Sequence, residues 1–361
     1  MFNLIKLSLR NFRNYEKLFL NLEPGAHIFL GENGAGKTNL IEALEIISTC
    51  RSHRTRNDAD IIRTNEEAAT VEAEYERFGV RQTTRVTLQK RRGHDMRIGS
   101  RKISLSELIG NIKTVLFSPD DLMLAKGSPA LRRAFIDREI CQADKVYLNR
   151  LMRYNGILKE RNALLKLLKE GAAKSDMLEI YDIQFSKEAS FIVSKRIEAI
   201  KKLSKAASQT VKEISNDKES LDIIYDQGTS EIILEDDFLK LLKTNFTKDI
   251  KRGYTGIGPH VDDLTFRMNS MSLKNYASQG QQRTAVLATK LAEVNFLKEQ
   301  TDEYPILLLD DVLSELDASR RKKLLEFVVN KNVTAFLTAT DDSYIPKDIG
   351  IRHTVRYGKV N

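Results

Sequence analysis

The segment at positions 31–38 constrains the fold of this 361-residue chain more than any other part of its sequence. It matches the pattern G-x-x-x-x-G-K-[ST], and its residues are Gly31, Glu32, Asn33, Gly34, Ala35, Gly36, Lys37 and Thr38. An apolar run at 28–30 precedes it and an amphipathic stretch at 39–47 follows it, as a strand and a helix would. We expect its backbone N–H groups to cradle nucleotide phosphates, Lys37 to reach the terminal phosphates and Thr38 to hold Mg²⁺.

A second segment brings two carboxylates to the end of an apolar run. The run covers 306–309, and Asp310 and Asp311 follow it directly. Ligands gather at the carboxyl ends of strands in parallel α/β sheets, so we expect this pair to face the phosphate loop. Asp310 is the predicted Mg²⁺ ligand, and Asp311 is predicted to act in catalysis with Lys37, as the general base for the attacking water. An ordinary buried strand that ends in a helix cap is the alternative.

The composition indicates a folded protein and argues against a disordered or membrane-spanning chain. Apolar residues make up 41% of the chain and charged residues 30%, with only 6 Pro, which is unlike a disordered sequence. The longest aliphatic run, 306–309, is far shorter than the roughly 20 residues that cross a bilayer. The N-terminus has no signal-peptide pattern, so we expect a cytoplasmic protein without membrane contact. Cys50 and Cys141 stand far apart, and neither a disulfide nor a zinc site is predicted.

Alternation of apolar and polar residues in the first third predicts an antiparallel sheet. Ile5, Leu7 and Leu9 alternate with polar residues, and Val71 and Tyr75 do the same further along. Such a period of two is typical of strands that bury one face. We therefore expect a hairpin followed by further antiparallel strands.

From about residue 129 the apolar residues recur at helical spacing. The stripe at 193–214 carries Ser204 at one seam position, and its length predicts a helix pair or short bundle rather than a free-standing coiled coil. Towards the C-terminus, the runs at 306–309 and 333–337 enclose a basic helical stretch. That order predicts a βαβ unit.

One more motif lies between the phosphate loop and the paired acids. It reads Ser278-Gln279-Gly280-Gln281, and Asp317 closes a Ser-Glu-Leu-Asp segment after the acids. The order of these motifs resembles the ATP-binding-cassette ATPases, and among them the branch that includes the SMC chromosome proteins. The resemblance implies ATP held between two protomers, with Ser278, Gly280 and Gln281 contacting the nucleotide of the other protomer and Asp317 in a loop at their interface.

Within this branch the sequence is most similar to the RecF family of bacterial recombination-repair proteins. Four segments carry the resemblance, at 10–15, 117–122, 132–137 and 258–263. It implies an ATP-dependent homodimer that binds double-stranded and gapped DNA, and single-stranded DNA more weakly. It also implies cooperation with RecR and RecO and, indirectly, RecA, and a slow ATPase in which hydrolysis releases the DNA. Arg13 and Asp120 are the further nucleotide and Mg²⁺ ligands that follow from it.

The resemblance also defines the expected architecture. We predict an α/β ATP-binding-cassette ATPase head with an antiparallel β-subdomain and a helical second lobe. Residues 1–120 and 300–361 form the predicted first lobe, and 121–299 the second, which is too short for a long coiled coil. The chain departs from cassette transporters in having Asp311 where Glu is usual, and no histidine follows the 333–337 strand. Hydrolysis is therefore predicted to be slow.

The net charge of +8 is concentrated in one predicted hairpin. Residues 81–102 contain eight Lys or Arg against one acid, which predicts a surface for phosphates without sequence reading. The predicted DNA contacts are Arg51, Arg54, Arg56, Arg81, Arg85, Arg91 and Arg92. A solvated basic hairpin without a ligand is the alternative.

Two rival functions stay open on the sequence alone. One is the ATPase subunit of a membrane transporter, for which the basic hairpin would have no purpose. The other is a scaffold that binds ATP without turning it over, against which the intact Lys37, Asp310 and Asp311 argue.

Overall fold

The computed structural model describes residues 2–91, 93–228, 234–331 and 333–361. The chain forms two compact units. The first consists of Met1–Leu122, Glu213–Asp217 and Val286–Asn361, and the second of Met123–Lys212 and Lys218–Ala285. Within the described ranges, every helix is too short or too polar to serve as a membrane span.

In chain order, the strands and helices are β1 (Phe2–Phe12), β2 (Tyr15–Asn21), β3 (Ala26–Leu30), α1 (Lys37–Thr49), β4 (Ala68–Arg77), β5 (Val80–Gln89), β6 (Asp95–Ile98), β7 (Arg101–Lys102), α2 (Leu105–Leu108), β8 (Thr114–Phe117), α3 (Met123–Lys126), α4 (Pro129–Ala143), α5 (Lys145–Lys169), α6 (Asp176–Ser215), β9 (Leu221–Asp226), α7 (Glu235–Arg252), β10 (Asp263–Met268), β11 (Met271–Ser272), α8 (Leu273–Tyr276), α9 (Gln279–Thr301), β12 (Ile306–Asp310), α10 (Val312–Glu315), α11 (Ala318–Asn330), β13 (Ala335–Ala339), β14 (Ile351–Arg356) and β15 (Lys359–Val360).

The predicted antiparallel sheet is present in the first unit, with strand order β2-β1-β4-β5-β6-β7. Its buried face carries Leu7, Leu9 and Tyr75, as the alternation predicts. Ile5 does not share that face as predicted, because the pairing of β1 with β4 skips it between Leu4 and Lys6. Such a bulge adds one residue to one strand and turns the side chains before it over, so Leu4 is buried instead, at 1% exposure.

The second sheet of the first unit is mostly parallel, with strand order β15-β14-β3-β13-β12-β8. Its central strands β12 and β13 are buried along their full length and pair in parallel around α11, so the predicted βαβ unit is confirmed. Continuous apolar runs suit strands that are covered on both faces. The sheet brings the carboxyl ends of β3, β8, β12 and β13 to one edge.

The second unit combines a three-stranded sheet, β11-β10-β9, with helices α4 to α7. Helices α5, α6 and α7 pack together, since the fully buried Arg161 of α5 donates to Asp182 of α6 at 2.7 Å and to Asp249 of α7 at 3.0 Å. The stripe at 193–214, for which a helix pair or short bundle is predicted, lies in the C-terminal half of α6, beyond these bonds. Ser204 does not face another helix, however. Its hydroxyl accepts the backbone N–H of Ile223 in β9 at 2.9 Å, so this part of α6 packs on the sheet.

A pair of histidines joins β3 to β14 in the parallel sheet. His27 is 1% exposed, and its Nδ1 lies 3.0 Å from Nε2 of His353, with the two rings stacked. The other ring nitrogen of His27 lies 2.8 Å from the carbonyl oxygen of Glu23. Burial lowers the pKa of His27, and the pKa of His353 is lowered as well. The folded protein therefore favours the neutral form of both rings.

We expect acid to weaken the fold through His27. The unfolded chain takes up a proton near the ordinary pKa of about 6.5, whereas folded His27 does so only at lower pH, so stability falls as the pH drops from about 7.5 to 5.5. Urea unfolding of wild type and of His27→Gln at both pH values measures this, and the variant should lose less stability. His53 has the opposite effect on stability as the pH falls, because Glu45 raises the pKa of His53 despite its burial. This effect is the same in wild type and in the variant. Equal losses in the two proteins would contradict the prediction.

Candidate nucleotide-binding site

The predicted loop follows β3 and leads directly into α1. Gly34 and Gly36 have φ angles of 80° and 118°, a region that glycine reaches without steric cost. A Cβ atom on Gly36 would lie 2.7 Å from Nδ2 of Asn14 and 2.9 Å from the hydroxyl of Tyr15. Both side chains support the loop, because Asn14 donates to the carbonyl of Ala35 at 3.0 Å and Tyr15 donates to that of Gly36 at 3.1 Å.

Lys37 starts α1 and turns its side chain back along the loop. Its Nζ donates to the carbonyl oxygens of Gly31 at 2.7 Å and Glu32 at 2.9 Å. The residue is 7% exposed. Burial lowers its pKa, and the carboxylates of Asp311 and Asp310 act against that shift. The ammonium group thus lies at the centre of the loop, where a phosphate would need a positive charge.

Asp310 connects the loop to the two central strands. Its Oδ1 accepts the hydroxyl of Thr38 at 2.9 Å and that of Thr338 at 2.7 Å. Thr338 lies in β13, between β3 and β12, and also accepts the backbone N–H of Asp311 at 2.9 Å. Sequence reasoning gave Thr338 no role, because only the sheet order shows that its hydroxyl reaches both acids.

The donors at this point suit Mg²⁺. A hydroxyl and a carboxylate oxygen are hard ligands, and Mg²⁺ is usually bound by one or two carboxylates together with substrate phosphates. The neighbouring oxygens of Thr38 and Asp310 fit that pattern. In the described residues, no cluster of three or more His, Cys, Asp or Glu could hold a metal alone, so phosphate oxygens and water would complete the coordination.

Asp311 has a backbone and an environment that differ from those of Asp310. Its φ of 51° is in the left-handed region, which is uncommon for a residue with a side chain. Burial raises its pKa, with Asp310 and Glu315 adding to the shift and Lys37 opposing it. A raised pKa brings a carboxylate closer to the range in which it accepts a proton from water.

Comparison with known proteins identifies the family. The family profile described as "RecF/RecN/SMC N terminal domain" matches residues 3–347. The DNA replication and repair protein RecF of Ligilactobacillus salivarius (strain UCC118) is 42% identical over 342 residues, which cover 92% of this chain and 89% of that protein. Its counterpart in Staphylococcus carnosus (strain TM300) is 41% identical and covers 97% and 96%. The chain belongs to the RecF family.

Solved structures agree with this membership. A structure of the recombination mediator protein RecF-ATP of the RecFOR pathway has a TM-score of 0.92 at 33% identity, covering 100% of this chain and 97% of that one. The Smc head domain of Pyrococcus furiosus shares the fold at a TM-score of 0.58 and 17% identity, covering 100% and 96%. The predicted fold class, a cassette ATPase head with an antiparallel subdomain and a helical lobe but no long coiled coil, is confirmed.

Resemblance to the RecF family added Arg13 and Asp120 to the predicted site, and the structure shows no contact of either with the residues of the phosphate loop among those it describes. The guanidinium of Arg13 donates to both carboxylate oxygens of Glu42 in α1, at 2.8 and 2.5 Å. Glu42 is fully buried, and although burial opposes its charged form, Arg13 and Ser52 hold its pKa below the usual range. Asp120 is exposed in the turn after β8. Their nucleotide and metal roles stay predictions.

The signature residues lie in the second unit, at the start of α9. The hydroxyl of Ser278 accepts the N–H of Gln281 at 3.2 Å, and the side chain of Gln281 accepts the N–H of Ser278 at 3.0 Å. This reciprocal pair is a capping box, which fixes the first turn of a helix. Gly280 lies within that turn. The predicted contact of Ser278, Gly280 and Gln281 with the nucleotide of a partner protomer stays a prediction.

The predicted DNA-binding arginines face carboxylates as well as solvent. Arg85 pairs with Glu72 at 2.5 Å, and Arg81 lies 3.8 and 3.9 Å from Glu74 and Glu76, all on the neighbouring strand β4. Arg54 donates to Asn39 and Glu42, at 2.8 and 3.3 Å. The remaining positions are Arg51, Arg56 and Arg91, which are exposed, and Arg92, which is outside the described residues. All seven contacts stay predictions.

We expect Thr338→Val to destabilise the first unit. Valine keeps the shape but leaves the N–H of Asp311 and one oxygen of Asp310 short of a partner, which costs about 1–3 kcal/mol. Urea unfolding measures the loss. Thr340→Val is the matched control, since Thr340 is exposed just beyond β13. Equal losses in both variants would show that the bonds of Thr338 contribute nothing specific.

Proposed function

We propose that this chain is an ATP-dependent DNA-binding protein of bacterial replication and recombinational repair. The observation that carries the proposal is the contact of Thr38 with Asp310 beside Lys37, at the edge where ligands gather in parallel sheets. Support also comes from the relatives, which are named DNA replication and repair proteins, and from solved RecF structures with ATP and ATPrS. The rival assignment to a membrane transporter has no comparable support.

In this proposal the residues of the loop bind ATP and Asp311 sets the rate of its hydrolysis. Lys37 would exchange its two loop carbonyls for the terminal phosphates, and Thr38 and Asp310 would hold Mg²⁺. The metal, when bound, neutralises charge on the transferring phosphate. Asp311 orients the attacking water and accepts its proton. Its side chain is one methylene shorter than the glutamate of transporter cassettes, which suits a slow ATPase that serves as a switch.

We further propose that ATP closes a homodimer and that hydrolysis reopens it. Ser278, Gly280 and Gln281 of one protomer would contact the nucleotide of the other. The closed dimer would hold double-stranded or gapped DNA, and single-stranded DNA less well. RecR and RecO would then engage this complex and help load RecA at gaps. The RecFOR pathway in which the solved RecF structures are placed supports this assignment.

Nucleotide-dependent DNA binding tests the proposed function. We expect fluorescence anisotropy to show tight, salt-sensitive binding of a gapped duplex by wild type in ATP, and at least tenfold weaker binding in ADP. Lys37→Met in ATP should behave like wild type in ADP, because the terminal phosphates lose their cation. Light scattering on the same samples should show dimers only for wild type in ATP, and phosphate release separates turnover from mere ATP binding. DNA affinity that ignores the nucleotide would refute the switch.

Mixing two inactive variants tests whether the signature acts across the dimer. Lys37→Met and Ser278→Arg should each lose ATP hydrolysis. Their heterodimer has one composite site with both defects and one with neither, so the mixture should regain hydrolysis. A signature that acts on its own protomer's nucleotide predicts no recovery at any mixing ratio. Circular dichroism of each variant controls for misfolding.

A further inference from the structure

The second unit contains a groove that the proposed function does not use. It has a volume of about 620 Å³ and runs between α6 and β9. Its floor includes Ile200 and Ile223, which are 3% and 4% exposed. The side formed by α6 is polar and basic, and the lining residues there include Lys201, Ser204, Lys205, Ser208 and Lys212.

The three lysines form one row of unneutralised charge. Spacings of four and seven residues place Lys201, Lys205 and Lys212 on one face of the helix, and all three are exposed. None has a carboxylate within 4.0 Å in the described ranges, and Asp222 is the one acid among the described lining residues. Lys202, which does not line the groove, donates to Glu198 at 2.8 Å instead.

The row differs from the arginine hairpin of the first unit. There Arg81 and Arg85 already lie beside glutamates of β4, so a phosphate must compete with a carboxylate for each of them. The α6 lysines present their charge without such competition. Coulombic attraction for a polyanion is therefore less offset along α6 than along the hairpin.

The spacing of the row matches a nucleic-acid backbone. At 1.5 Å per residue, Lys201 and Lys212 are about 16 Å apart along the helix axis. That distance covers about five phosphates of one duplex strand, which follow one another every 3.4 Å of axis. Ser208 adds a hydroxyl, a donor common in contacts to phosphate. The described lining contains no arginine, the side chain that most often reads bases, although Gln209 and Gln227 are present.

We propose that the groove between α6 and β9 binds the phosphate backbone of DNA, independently of sequence. This inference rests on the proposed function only in taking DNA as the ligand. It assigns the contact to three lysines that sequence analysis did not single out. The row would supply up to three phosphate contacts, each of which contributes to the salt dependence of binding.

The test compares three variants of the full chain in ATP, over a range of salt concentrations, on a short fluorescent duplex. Lys201→Ala/Lys205→Ala/Lys212→Ala should bind at least tenfold more weakly at about 0.1 M salt, and the slope of log K against log salt should be shallower by about 2–3. The matched triple Lys→Arg variant should bind like wild type, because it keeps the charges. Lys202→Ala should also bind like wild type, since its ammonium is paired outside the groove.

Each other outcome overturns the inference in a recognisable way. Unchanged affinity and slope in the triple alanine variant would remove the groove from DNA binding and leave the proposed function intact. An equal loss of DNA affinity in Lys202→Ala would show that the effect depends on net charge and not on the groove. Absence of DNA binding by wild type in every nucleotide state would refute the proposed function and this inference together. Polyglutamate that binds more tightly than the duplex, through the same lysines, would identify an acidic protein segment as the occupant.

Discussion

The carboxylate of Asp310 is the group on which the architecture of the site depends. One of its oxygens accepts hydroxyls from Thr38, at the start of α1, and from Thr338, in β13. Thr38 and Asp310 are 272 positions apart in the chain, so the loop reaches its geometry only when the C-terminal strands have joined the sheet. The 6% exposure of Asp310 makes each of these bonds matter, because a buried carboxylate without donors is costly.

The N-terminal segment that resembles the RecF family has a structural role in the site. Asn14 and Tyr15 donate hydrogen bonds to carbonyl oxygens of the loop. Arg13 forms an ion pair with the buried Glu42 of α1, the helix that follows the loop. For Arg13 to reach a nucleotide it would have to give up both of its bonds to Glu42 and leave that carboxylate with Ser52 and the more distant Arg54, and breaking a buried ion pair costs up to about 3–5 kcal/mol. A nucleotide could draw Arg13 away only if it returned a comparable interaction.

Much of the fold and the core of the site could be predicted from the sequence, because short motifs and apolar periods record local geometry. What escaped prediction depends on pairing between distant segments. The bulge at Ile5 is invisible until β4 lies beside β1, and the contact of Ser204 with a strand cannot be read from helical spacing. Thr338 only follows the predicted 333–337 strand until the sheet order places it in β13, between the strand that enters the loop and the strand that carries the acids. Charge counted from 81 to 102 omits the acids of the facing strand.

The glutamates of β4 change how the arginines of the neighbouring strand β5 interact with anions, which a count of net charge does not show. Glu72, Glu74 and Glu76 lie beside the arginines of β5. An anion that binds these arginines must therefore displace carboxylates that already neutralise them. Surface pairs of this kind contribute only about 0–1 kcal/mol each, and a ligand with closely spaced charges gains from the exchange by engaging both arginines at once. A single small anion displaces one carboxylate and gains almost nothing. The arrangement of charges therefore favours a ligand with closely spaced negative charges over a single small anion.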